Sequence, residues 1–202
     1  MTTLTPPATI AFIGLGMMGR PMATRLVEAG FKLRVFDVSQ KAVSDFVGAH
    51  PSALATASAK AAAQGAAALI TMLPDGKIVR QAVLEGRDAA VEGLDAGALV
   101  MDMSSSNPVD TQKLARDLAG RGVALLDAPV SGGVKRAVDG SLSIMVGGSA
   151  ADLERVRPVF GAMGKTITLC GPAGAGHALK ALNNYLSAAG LVAMCEALVV
   201  GE

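Results

Sequence analysis

The chain has almost no excess of charge. Its 202 residues carry 18 Lys and Arg against 17 Asp and Glu, a formal net charge of +1. Proteins that bind nucleic acid or anionic membranes cluster Lys and Arg on one face, and this balance leaves no such footprint. A small-molecule ligand is expected, with no nucleic-acid or membrane partner. Cysteine is scarce: Cys170 and Cys195 have neither a metal-ligand nor a redox spacing. Buried or half-buried free thiols in a reducing compartment are expected, and no metal site. Gly, Pro and charges break every run that approaches the roughly twenty apolar residues of a membrane span. The opening MTTLTPPATI has neither a charged n-region with an apolar core nor an Arg-rich amphipathic pattern. A soluble cytoplasmic protein is the expectation. What is present is apolar bulk, 51% of the chain, enough to build the core of one large domain or one and a half.

Apolar runs alternate with helical patterns, the mark of strand-helix-strand units and a mostly parallel sheet covered on both faces. TIAFIG, KLRVFD, AALITMLP, GALVMDMS, VALLDAPV and SLSIMVGG read as strands. MMGRPMATRLVEAG, QKAVSDFVGA, GKIVRQAVLEG and NPVDTQKLARDLAGRG read as helices, the last with Asn107 at the N-cap and Pro108 at the first helical position. The alanine-rich ATASAKAAAQGAAA has helical propensity and reads as structure. After residue 170 the pattern changes to a Gly/Pro turn and an unbroken Ala/Leu-rich helix with no further strand. A boundary near Gly171 to Gly176 is expected, with a dinucleotide-binding domain over 1–170. The segment 171–202 reads as the start of a helical domain that is incomplete at Glu202.

The first strand is followed by GLGMMG. Gly14 suits a tight turn, Gly16 lets the backbone approach a pyrophosphate, and Gly19 permits close helix-strand packing. The helix N-terminus offers free N–H groups to the phosphates. The second strand ends in Asp37, where a carboxylate can accept from the ribose hydroxyls and would repel a 2'-phosphate. NAD is the expected cofactor, with NADP kept open by Arg34 and Lys41.

Other polar groups sit where strands end. TMLPDG could place Met72, Leu73 and Pro74 beside the nicotinamide, or could be an ordinary turn. In DMSSSNP, Ser104 and Ser105 either cap the next helix or touch the cofactor. In DAPVSGG, Ser131, Gly132 and Gly133 could present N–H groups to a carboxylate or form a flexible bend. Lys180 follows the Gly-rich hinge with Asn184 on the same helical face. In a cleft its pKa would be lowered by desolvation, which suits a general acid/base. His177 reads as a packing or capping residue at the helix start.

In this order, IAFIGLGMMGRPMA, MLPDG, DMSSSNP, DAPVSGGVKRAVDGSLSIMVGG and GPAGAGHALKALNN resemble the β-hydroxyacid dehydrogenase family, in which 6-phosphogluconate dehydrogenase-like proteins share the fold. The resemblance implies a Rossmann-type doubly wound sheet followed by the first long helix of an all-α domain, of which the later part is missing. It implies hydride transfer between a nicotinamide cofactor and a short 3-hydroxy acid, 3-hydroxyisobutyrate- or glycerate-like. Lys180 matches the family's catalytic lysine; Ser131, Gly132, Gly133 and Asn184 match substrate-binding positions. Gly14, Leu15, Gly16, Met17, Met18 and Gly19 match the pyrophosphate loop, Asp37 the ribose-binding acid, and Met72, Leu73, Pro74 and Ser105 further cofactor contacts. Ile78 stands where some relatives have a polar residue. A homodimer or homotetramer is implied. The alternatives are a noncatalytic dinucleotide-binding or dimerisation module of the same fold, or a relative acting on an imine or a phosphorylated sugar acid.

Overall fold

The computed structural model describes residues 2–201. The first half runs β1 (Thr9–Ile13), α1 (Gly19–Glu28), β2 (Lys32–Phe36), α2 (Gln40–Ala49), β3 (Leu54–Ala55), α3 (Ala59–Ala63), β4 (Ala68–Thr71), α4 (Gly76–Arg80) and β5 (Leu99–Asp102). The second half runs α5 (Pro108–Ala119), β6 (Ala124–Asp127), β7 (Val130–Ser131), α6 (Gly133–Asp139), β8 (Leu142–Gly147), α7 (Ala150–Met163), β9 (Gly164–Gly171) and α8 (Ala175–Val200). The strand order is β3-β2-β1-β4-β5-β6-β8-β7, with β9 paired to β8. From β3 to β6 every pairing is parallel, whereas β8 runs antiparallel to β6 and β7. This is the expected doubly wound, mostly parallel α/β fold.

The strand patterns explain the layers. β1, β4 and β5 are apolar and almost wholly buried, as strands covered on both faces must be. Alternate residues enter different cores: Ile10, Phe12, Ile70 and Met101 pack on one side, Ala11, Ile13, Leu69 and Val100 on the other. Each large apolar side chain buried in this way stabilises the fold by roughly 1.5–3 kcal/mol. Chain order reverses between β1 and β4, which opens a crevice at their carboxyl ends, the place where open α/β sheets bind ligands.

Several local readings are corrected. GKIVRQAVLEG is not one α-helix: after Arg80 it widens into a π-turn over Gln81–Glu85, closed by Gly86 N–H to Gln81 O at 2.8 Å. VALLDAPV is two strands, broken at Ala128 and Pro129, and the polar stretch after it contains α6. α7 and β9 have no counterpart in the pattern read from the sequence. Cys170 is half-buried and Cys195 is exposed, so only the first fits its expectation.

α8 extends 26 residues, and among its described residues only Gly176 and His177 are buried. By length and composition it is apolar enough to cross a membrane. The helix nevertheless packs on β6, β8, β9 and α5, and its buried residues lie in its first turn.

Candidate functional site

The crevice at the sheet switch point holds a cavity of about 580 Å³. Gly14, Gly16, Met17, Met18 and Gly19 from the β1–α1 turn line it, with Asp37 at the end of β2. Met72, Leu73 and Pro74 close it after β4, beside Ile78. The glycines differ in what requires them. Gly14 has φ +101°, and a Cβ there would lie 2.2 Å from Met72 O; a Cβ on Gly19 would lie 1.9 Å from Gly14 O. Those two are demanded by the fold. Gly16 is not, because a Cβ there meets nothing within 4 Å. It lines open space, which leaves room for a ligand to lie against the backbone. The N–H groups of Gly16, Met17 and Met18 donate to no protein acceptor among the described residues. They are free for phosphate oxygens.

Asp37 is held from both oxygens: Leu15 N–H donates to Oδ2 at 2.6 Å and Ser39 N–H to Oδ1 at 2.8 Å. Leu15 itself turns its side chain into the core at 3% exposure. Its part in the turn is through the backbone. These residues fit a dinucleotide: a glycine cradle, free N–H donors and a fixed carboxylate at the neighbouring strand end.

A second, smaller cavity of about 240 Å³ adjoins the first at Met18 and Met72. Ser131, Gly132, Gly133, Lys180, Asn184 and Ser105 all line it. Ser105 therefore stands on this side rather than in the larger cavity. Gly132 and Gly133 have φ +130° and +66°, and the Arg136 stem presses on Gly132 so closely that a Cβ would lie 2.5 Å from Arg136 Cδ. Among the described residues lining this cavity, Lys180 is the one with a charged side chain. Burial lowers its pKa from the ordinary lysine value.

The sequence reading did not find the buried polar network beneath the two cavities. Asp102 and Asp127 end β5 and β6 as register partners, and both are buried. Asp102 accepts from Thr71 Oγ1 at 2.9 Å, Ser104 N–H at 3.1 Å and Ser106 Oγ at 2.8 Å. Ser104 caps no helix; its Oγ accepts from Leu73 N–H at 2.9 Å, and Asn107 caps α5. His177 is 1% exposed, with Nε2 3.0 Å from Ser104 O and Nδ1 2.8 Å from Thr111 Oγ1. The signal that could have found this network is an Asp at the end of two successive buried strands.

A family model described as the NAD binding domain of 6-phosphogluconate dehydrogenase matches residues 9–171. The chain is 45% identical over 192 residues to an NAD-dependent L-serine dehydrogenase of Pseudomonas aeruginosa, covering 95% of this chain and 63% of the relative. It is 43% identical over 197 residues to a 3-sulfolactaldehyde reductase of Escherichia coli, covering 96% and 64%. Among solved structures, Mycobacterium tuberculosis 3-hydroxyisobutyrate dehydrogenase with L-serine superposes at TM-score 0.87 and 40% identity, over 99% of this chain and 65% of that one. The chain spans just under two thirds of the length of these relatives. It carries an NAD-binding domain of the Rossmann type, and it belongs to the β-hydroxyacid dehydrogenase family.

Proposed function

We propose that the complete protein transfers a hydride between a short 3-hydroxy acid and NAD, with Lys180 as general acid/base. The observation that carries this reading is the position of Lys180: it is the charged side chain of a cavity that meets the dinucleotide cleft at Met18 and Met72. When bound, the dinucleotide supplies the hydride acceptor or donor. In the oxidative direction neutral Lys180 Nζ takes the hydroxyl proton, which leaves the electron pair to form the carbonyl as the carbinol hydrogen departs as hydride. In reduction the Lys180 ammonium returns a proton to the forming alkoxide. The desolvation that lowers the Lys180 pKa favours the neutral form over the ammonium, the direction a general base needs. Ser131 and the N–H groups of Gly132 and Gly133 hold the substrate's anionic group, and Asn184, one turn beyond Lys180, orients the hydroxyl.

Two of the relatives are named for L-serine and 3-sulfolactaldehyde, both short molecules with an acid group near the reacting carbon, which supports this substrate class. Asp37 supports NAD over NADP, because its fixed carboxylate would face a 2'-phosphate. We place the domain boundary between the end of β9 at Gly171 and the start of α8 at Ala175.

A panel of serine, 3-hydroxyisobutyrate, glycerate and their chain-lengthened analogues with NAD and NADP, followed by reduced-nicotinamide absorbance, tests the reading. Turnover with at least one short 3-hydroxy acid and NAD is expected. Absence of turnover with all of them, in the complete protein, would overturn it.

A further inference from the structure

We propose that Asp127 and His177 are positioning residues for Lys180: they clamp the first turn of α8 to the carboxyl edge of the sheet and thereby set where the lysine stands. This rests on the reading of Lys180 as the acid/base.

α8 is anchored at one end. Only Gly176 and His177 are buried among its described residues, so the direction of the helix is decided in its first turn. That turn lacks a cap of its own, since Gly174 occupies the N-cap position with φ +93° and no side chain. The Asp127 carboxylate, arriving from the end of β6, takes the role. Gly174 N–H donates to its Oδ1 at 2.7 Å and His177 N–H to its Oδ2 at 2.9 Å. A carboxylate fixed at a helix N-terminus satisfies otherwise unpaired donors and faces the positive end of the helix dipole. The fit is close: a Cβ on Gly176 would lie 2.4 Å from Met145 O, and one on Gly147 would lie 2.5 Å from Asp127 Oδ1.

His177 supplies the second hold. A carbonyl oxygen can only accept, so Nε2 carries the hydrogen that binds Ser104 O, while Nδ1 meets Thr111 Oγ1 on α5. The charged groups facing the ring are Asp102, with Oδ2 3.7 Å from Nε2, and Asp127, with Oδ2 3.8 Å from Nδ1. Ser104 in turn accepts from Leu73 N–H with its hydroxyl. A short hydrogen-bonded path therefore runs from the wall of the dinucleotide cavity at Leu73, through Ser104, to His177. Lys180 is three residues further along, about 4.5 Å up the helix axis. The network ties the two halves of the site to one frame, and a lysine displaced by 1 Å would lose most of its effect on rate.

The test compares Asp127→Asn, Thr111→Val and Lys180→Ala in the complete protein, reading folding by circular dichroism, NAD affinity by titration, and kcat across pH. Asp127→Asn is expected to keep NAD affinity while kcat falls by about 100-fold. Its rate should also rise with pH at a higher pH than the unaltered enzyme, because a loosened Lys180 regains water. Thr111→Val, which removes one hold on His177 and keeps its shape, is expected to move both readings in the same direction by less. If Asp127→Asn fails to fold, Thr111→Val decides by the same two readings. An inactive Lys180→Ala beside folded variants with native kcat and an unmoved pH profile overturns the positioning role alone. Turnover persisting in Lys180→Ala removes the acid/base reading itself and the inference with it.

Discussion

Three glycines in one turn answer to different demands, and substitution separates them. Gly19→Ala forces a Cβ against the Gly14 carbonyl, so the turn must open and stability is expected to fall by about 1–3 kcal/mol in urea unfolding. Gly16→Ala meets no protein atom, so stability should stay within roughly 0.5 kcal/mol of the unaltered chain. Its NAD affinity should nevertheless drop about ten-fold, the equivalent of roughly 1.4 kcal/mol. Equal losses of stability in both variants would contradict this division. The tight glycine turn after β1 is legible in the sequence because its glycines follow an apolar run at fixed spacing. Lys180 is harder to read, since a lysine on an Ala/Leu helix is ordinarily solvated; only the fold shows that it lines a cavity. Its lowered pKa makes a signed prediction for pH. In the proposed acid/base role oxidation uses the neutral amine, so kcat/KM is expected to rise with pH and level off below the range of an ordinary lysine; reduction uses the ammonium and is expected to fall through the same range. Profiles measured in both directions check this, and parallel profiles would contradict it.

At the scale of elements, most strands and helices were legible because their period changes between two and 3.6 and their ends carry turn residues. α5 is the clearest case: Asn107 Oδ1 accepts from Val109 N–H at 2.9 Å and Pro108 begins the helix, as the residues suggested. Asn107→Ala is expected to lower stability by about 1 kcal/mol in thermal or urea unfolding while leaving NAD affinity alone. α7 was missed although its signal exists: Ser149 caps it, and Leu153, Val156, Val159, Phe160 and Met163 are buried at helical spacing. Pro158 inside the helix obscures that pattern, because proline ordinarily marks a break. β9 was missed for a different reason. It is an edge strand with half of its residues exposed and one buried, so KTITLC alternates weakly. The π-turn after α4 leaves no periodic mark, since five residues cannot distinguish it from one more α-helical turn.

At the scale of the molecule, a single topological fact places the crevice: the order of the parallel strands reverses between β1 and β4, and the turns after β1, β2 and β4 converge there. The sequence could supply the loops but not their convergence, which depends on strand order. Each strand end shows its Asp in the sequence, but that Asp102 and Asp127 stand side by side follows only once β5 and β6 are set in register. Beyond its first turn α8 exposes Leu182, Leu186, Leu198 and Val199, apolar side chains spread around the helix that another element or subunit is suited to cover. We expect the complete protein to be a dimer or tetramer by light scattering, and a monomer would contradict that expectation. The most direct measurement of the central claim is the turnover of Lys180→Ala in the complete protein alongside its NAD affinity. The expected result is a loss of kcat by about 10²–10⁴-fold with NAD binding intact; near-native kcat in that variant would contradict the assignment of Lys180 as the acid/base.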